Sequence, residues 1–209
     1  MLRSWLTSKS TIAAAILTIA LGTGVNTAVL SIAYGLLYRP LPYPQSERLV
    51  IPGGEDAERT TVALREALDW QTRVRGLELA AYAIQQATVR GDDIATVVPT
   101  ALVTNSFFAV MRTQAAFGRV FSGEARPVAV ISARFASRLG MREARDLGRA
   151  ITIAGRPFDV IGVLPSSFHF PTEGVDIWLP ADAVAGVAMF GERDARRYQL
   201  VARLADGVT

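Results

Sequence analysis

The 209-residue sequence contains no cysteine, a single histidine and a single lysine, Lys9. The absence of cysteine excludes disulfides, thiolate metal ligands and a cysteine nucleophile. One histidine, His169, is too few for a His-rich metal site. The positive charge is therefore almost all arginine, scattered among acids, and the formal net charge is only +3. This pattern is typical of a solvated surface, and we expect no nucleic-acid partner.

Charged residues are also missing from one long segment, residues 10–38, between Lys9 and Arg39. The segment exceeds the roughly 20 residues that a helix needs to cross a bilayer core, so it predicts a single membrane span. Arg3 and Lys9 precede it, which favours a cytoplasmic N-terminus and a domain outside the cytoplasm. A cleaved signal peptide ending at "SIA" is the alternative. The apolar region is too long for one, and "YRPLPYP" just beyond it is typical of a membrane exit.

Gly22 and Gly24 within "ALGTGVNTA" are compatible with two interpretations. A dinucleotide-binding turn would need a third glycine where Thr27 stands and an acid about 20 positions beyond the motif. It would also need a strand before the turn. The first downstream acid is Glu47, and there is no Walker motif either. We therefore expect no nucleotide and no other cofactor.

The second interpretation is a contact between membrane helices. Ala20, Gly24 and Ala28 recur every four residues and form a stripe of small side chains that lets another helix approach closely. Asn26, near the predicted midplane, is placed beside this stripe as a donor or acceptor for a neighbouring helix. The alternative is a lone anchor that only tolerates these residues.

The region after the proline-rich exit alternates between strand and short helix patterns. Strands are predicted in "LELAAYAIQQATVR", "IATVVPTALVT", "PVAVIS", "VDIWLP" and "YQLVARL", and a hairpin in "RAITIAGRPFDVIGVLP" with its turn at 155–157. Helices are predicted at 61–74, in "SFFAVM" capped by Asn105, and in "ARFASRLG" capped by Ser132 and closed by Gly140. Strands without regular βαβ alternation indicate an α+β domain.

Candidate catalytic groups are few. A nucleophile and base couple of Ser166 or Ser167 with His169 is conceivable, but these residues are close in sequence and no strand-to-helix elbow surrounds them. The paired acids at 55–56 and 92–93 lie in glycine-flanked turns, where aspartate is favoured for local hydrogen bonding. We expect a protein that is not an enzyme and holds no metal.

Several stretches in order resemble a known family. "LTIALGTGVNTAVLSIAYGLLYRPLPYPQSERLV" is similar to the first membrane helix and exit of MacB-like ABC transporter permeases, in particular the orphan permease group. "NSFFAVMRTQAAFGRVF", "PVAVISARFASRLG", "LGRAITIAGRPFDVIGVLPSSFHFP" and "VDIWLP" resemble the periplasmic core domain of the same family. The resemblance covers nearly the whole chain from about Leu17.

The resemblance implies an inner-membrane protein with residues 1–44 as cytoplasmic tip, membrane helix and exit, and residues 45–209 as periplasmic core domain. It implies an ABC ATPase subunit, further permease helices and a second copy of the chain as partners, with a role in efflux or export. The family continues beyond "YQLVARLADGVT", so we expect a core domain incomplete at its C-terminus. The alternative is a membrane-anchored periplasmic binding or sensor module without an ATPase.

Overall fold

A computed structural model describes residues 9–37, 43–52, 60–90, 95–123, 126–184 and 195–205. The chain divides into two compact units, Met1–Leu41 and Pro42–Thr209. The first unit contains helix α1, Lys9–Leu37. By length and composition, α1 can cross a membrane. Its apolar side chains are exposed on all sides of the helix, as in a helix that is solvated by lipid.

The hydroxyl groups inside α1 are satisfied within the helix. Thr18 Oγ1 donates to the carbonyl of Ala14 at 2.9 Å, and Thr23 Oγ1 donates to that of Ile19 at 2.8 Å. A polar group in hydrocarbon needs such an internal partner, because no water is present to provide one. The two threonines are therefore compatible with a membrane span.

The second unit is a mixed α+β domain, which confirms the predicted fold class. Its elements in chain order are β1 (Leu49–Val50), α2 (Leu64–Arg73), β2 (Leu77–Arg90), β3 (Ala95–Val103), α3 (Phe107–Val110), β4 (Phe117–Gly118), β5 (Val128–Ile131), α4 (Ala133–Arg138), β6 (Ala150–Ile153), β7 (Arg156–Val163), β8 (Ile177–Pro180), α5 (Ala181–Val184) and β9 (Gln199–Leu204). A 3-10 turn, Ser46–Arg48, precedes β1. The predicted turn at 91–93 lies outside the described residues.

The strand pairings close into a ring. The sheet runs β1-β9-β2-β3-β8-β5-β7-β4, and β6 pairs with both β2 and β7. The long strand β2 makes this possible, because its first half pairs with β9 and its end, Val89 and Arg90, pairs with β6. Strands β2, β3, β8, β5, β7 and β6 therefore form a closed circuit. Two pairings in it, β3 with β8 and β5 with β7, are parallel.

The alternation of side chains along each strand separates two cores. Alternate residues of a strand point to opposite faces. On β8, Ile177 and Leu179 enter one cluster, with Ile153, Phe158 and Val160 of the hairpin. Trp178 points the other way, into an aromatic cluster. This second cluster has α3 beside it and consists mainly of Tyr82, Phe107, Phe108, Phe121 and Phe168.

Most of the predicted helix caps and turns were confirmed. Ser132 caps α4 by accepting a hydrogen bond from the amide of Phe135 at 3.0 Å, and Gly140 follows with a positive φ of 71°. The phenylalanines of "SFFAVM" are buried, but the predicted cap Asn105 is wrong, since Ser106 holds the N-cap position. The hairpin turn also lies one residue earlier than predicted.

That turn consists of Ala154 and Gly155, with φ angles of 51° and 79°. Two positive φ angles in a two-residue loop are the geometry that matches the twist of a hairpin. Arg156 and Pro157 already belong to β7, where they pair with Ile153 and Thr152 of β6. The prediction included the proline in the turn, although Pro157 is already the second residue of β7.

We predict that Gly162→Ala destabilises the domain strongly. A Cβ at Gly162 would clash with the backbone carbonyl of Arg119, which the β4 to β7 pairing holds in place. The expected loss is about 3 kcal/mol in the free energy of unfolding, measured by urea denaturation of the full chain in detergent. The control is Gly140→Ala. The new Cβ has no atom within 4 Å, so the only expected loss is that of placing alanine at a positive φ, about 1 kcal/mol. Equal losses in the two variants would contradict the close approach.

Candidate functional site

The small side chains of α1 lie on one face of the helix. At about 100° per residue, Ala20 and Ala28 lie about 40° to either side of Gly24 around the helix axis. Ser31 and Gly35 continue the same face, which extends the predicted stripe toward the C-terminal end of α1. A Cβ placed at Gly24 or Gly35 would meet nothing within 4 Å. Along α1 this face therefore carries only small side chains, and within the described residues nothing fills the space beside its glycines.

Asn26 does not lie beside the stripe. It follows Gly24 by two residues, about 200° around the helix axis, and so points from the opposite face. Unlike the two threonines, its side-chain amide makes no hydrogen bond within the described part of the chain. The stripe and the amide therefore lie on opposite faces of α1, and a helix that used both for contacts would pack on two sides.

In the domain, charged side chains converge on Asp176, the residue immediately before β8. Its carboxylate is 3% exposed. Oδ1 accepts hydrogen bonds from Ser132 Oγ at 2.7 Å and from Arg134 Nη2 at 2.8 Å, and Oδ2 accepts one from Arg138 Nη2. Arg134 and Arg138 are one helical turn apart on α4, so both reach the same acid. This cluster joins α4 to β8.

The sequence interpretation did not single out Asp176. Two features of the sequence could have indicated it. One is the acid within the apolar run "VDIWLP", and the other is the pair of arginines four residues apart in "SARFASR". A buried carboxylate is rare unless it is paired. The pairing itself joins residues about 40 positions apart, which no local pattern indicates.

A cleft of about 110 Å³ lies next to this cluster. Its polar lining includes Ser132, Arg134, Ser166, His169 and Glu173, and its apolar floor includes Phe168. The structure thus brings together the histidine and one of the two serines considered as a hydrolytic couple. No hydrogen bond joins Ser166 or Ser167 to His169 within the described residues. The contact that would activate a serine nucleophile is not made, and the cleft gives no support to a hydrolase.

Among the described residues, no three His, Cys, Asp or Glu side chains are grouped closely enough to hold a metal ion. What the structure does define is the class of protein. The chain has an apolar helix of membrane-spanning length, followed in sequence by an α+β domain whose strands form a closed ring.

Comparison with known protein families assigns the chain to one of them. The family model of the MacB-like periplasmic core domain matches residues 12–209, which include most of α1 and the whole domain. The chain belongs to this family. Its members are periplasmic domains of ABC-type transporter permeases, and the protein is accordingly a membrane-anchored one with a periplasmic domain. No curated protein matches the sequence significantly.

Solved structures share the fold. The periplasmic region of MacB from Actinobacillus actinomycetemcomitans superposes with a TM-score of 0.59 at 14% identity, covering 77% of this chain and 75% of that one. A domain of a putative permease from Porphyromonas gingivalis gives 0.56 at 21% identity, covering 80% and 79%. The extracellular domain of the noncanonic ABC-type transporter YknZ from Gram-positive bacteria gives 0.52 at 22%, covering 77% and 83%. At these identities the likeness concerns the fold.

We predict that Asp176→Asn lowers the free energy of unfolding by about 2 kcal/mol, because the buried amide cannot accept the charge-assisted hydrogen bonds of both arginines. The half-exposed guanidinium groups turn to water, which limits the loss. Glu143→Gln is the matched control, since Glu143 is 60% exposed and pairs with the exposed Arg145. Its expected effect is within about 0.5 kcal/mol. Urea denaturation of the two variants in detergent compares them, and equal stabilities would contradict the role of the cluster.

Proposed function

We propose that the chain is a non-catalytic part of an ABC-type permease that couples a membrane helix to a periplasmic domain during efflux or export. The observation that carries the proposal is the extent of the family match, which includes helix and domain together. Residues 1–44 would provide the cytoplasmic tip, the membrane span and its exit, and residues 45–209 the periplasmic core. Arg3 and Lys9 before the helix support a cytoplasmic N-terminus.

The proposed partners are an ABC ATPase subunit, further permease helices and a second copy of the chain. The 209 residues contain no Walker motif, and the proposed subunit would supply the energy of ATP. The stripe of Ala20, Gly24 and Ala28 is the surface proposed for a close helix contact. Asn26 on the opposite face would take a hydrogen bond from a second helix, because an unpartnered amide in hydrocarbon is costly.

The Gly24→Leu variant tests this assignment. The tagged full chain is extracted from its native membrane in mild detergent, and the co-purified ATPase subunit is quantified by mass spectrometry. We expect Gly24→Leu to lower its recovery roughly tenfold, because the leucine side chain separates the two helix backbones. Val25→Phe adds a similar number of side-chain atoms on a face about 100° from both Gly24 and Asn26, and it is the matched control.

Two outcomes would contradict parts of the proposal. Equal recovery with Gly24→Leu and wild type would show that the stripe is not the contact. Absence of any ATPase from the wild-type complex would favour the anchored binding or sensor module, for which the polar cleft beside Ser132 would be the candidate site.

A further inference from the structure

The segment that leaves the membrane helix is packed against the domain from Tyr43 onward. The ring of Tyr43 contacts those of Phe168 and Phe170 edge-on, at centroid distances of 5.8 and 6.3 Å. Burial raises the pKa of the Tyr43 phenol, although a hydrogen bond with the backbone of His169 acts in the opposite direction. We call residues 43–48 the exit segment.

Arg203, the second-to-last residue of β9, is a buried charged residue that contacts this segment. It is 1% exposed, which is exceptional for an arginine. Its Nη1 donates a hydrogen bond to the carbonyl of Gln45 at 2.9 Å, and its Nε donates to the carbonyl of Val110 at the end of α3. One side chain thereby connects the exit segment, α3 and β9.

An acid lies near Arg203 on the neighbouring strand. Glu78 on β2 lies directly opposite Arg203 in the antiparallel register, but its Oε1 accepts a hydrogen bond from Arg112 Nη2, at 3.2 Å, and not from Arg203. Burial lowers the pKa of Arg203. A guanidinium titrates so far above neutral pH that it stays protonated in its two contacts.

Stability alone does not explain an arginine at this position. Its Nη2 is buried without a hydrogen-bond partner, and buried ionic groups are often replaced by apolar residues at no loss of stability. An apolar side chain of similar length would fill the space but could not bind two carbonyl groups. What the arginine adds is the fixed geometry of the exit segment relative to α3.

Gln45 itself adopts a conformation that needs such support. Its φ is 50°, in the left-handed region, which costs a residue other than glycine about 1 to 2 kcal/mol. Its carbonyl accepts both Arg203 Nη1 and the amide of Arg48, the latter at 3.1 Å. The Arg48 guanidinium in turn donates to the carbonyl of Ala205 just after β9. The left-handed turn is therefore held from two sides.

We propose that Arg203 is a positioning residue that holds the exit segment against α3 and β9, so that the segment moves as part of the domain. A role of Arg203 in transport rests on the proposed function. If the helix and the domain are coupled during transport, the segment between them has to be held rigidly. The positional claim itself concerns this chain alone.

Hydrogen exchange of the full chain in detergent or nanodiscs, followed by mass spectrometry, tests the claim. In Arg203→Met we expect the Arg48 amide to exchange roughly tenfold faster or more, because its acceptor Gln45 is no longer held in place. Exchange in β5, on the other side of the ring, should be unchanged. The control is Arg145→Met, at an arginine that is 78% exposed. No acceleration at Arg48, or the same acceleration in β5, would overturn the proposal.

Variants at Gln45 keep the test decisive if Arg203→Met does not fold. The contact uses the backbone carbonyl, and glycine accepts a positive φ, so Gln45→Gly should retain slow exchange at Arg48. Gln45→Val places a β-branched residue in the left-handed region and should accelerate it as much as Arg203→Met would. Equal exchange in the glycine and valine variants would overturn the proposal. None of these readouts needs an ATPase, so failure to find that subunit would affect only the proposed function.

Discussion

The pairing of β9 with both β1 and β2 is the contact on which the attachment of the exit segment to the domain depends. It joins Leu49 and Val50, a short distance beyond the membrane helix, to residues of the last described strand. It also places Arg203 between Leu49 and Glu78, where the guanidinium reaches the exit segment and α3 at once. Without this pairing, Leu49 and Val50 would have no strand to pair with. Arg203 would then lose its contact with the carbonyl of Gln45.

The closed circuit of strands gives that contact a stiff support. Because β6 pairs with the end of β2 as well as with β7, each strand of the circuit has a hydrogen-bonded neighbour on both sides, which resists its displacement. The aromatic cluster receives Tyr43, so the exit segment packs on side chains of elements that the circuit holds in place. Resistance to displacement is what the proposed coupling role requires of the domain.

Patterns within single elements were predictable from the sequence, and contacts between distant elements were not. The apolar run of α1, the cap at Ser132 and the period-two strands follow from local rules of hydrophobicity and backbone hydrogen bonding. The hairpin turn was placed one residue late because proline was taken as part of the turn. The roles of Asp176 and Arg203 could not be predicted, because their hydrogen-bond partners lie on elements distant in sequence. A charged residue in an apolar run does not show which partners it will have.

The central claim is that the exit segment and the domain form one rigid body. It is tested most directly by double electron–electron resonance, which the absence of native cysteine makes straightforward. Nitroxide labels at Glu47→Cys and Ser137→Cys in the full chain in nanodiscs should give a single distance distribution, as narrow as that of Thr96→Cys with Ser137→Cys. All three positions are exposed. A distribution for the first pair much broader than for the second would contradict the account.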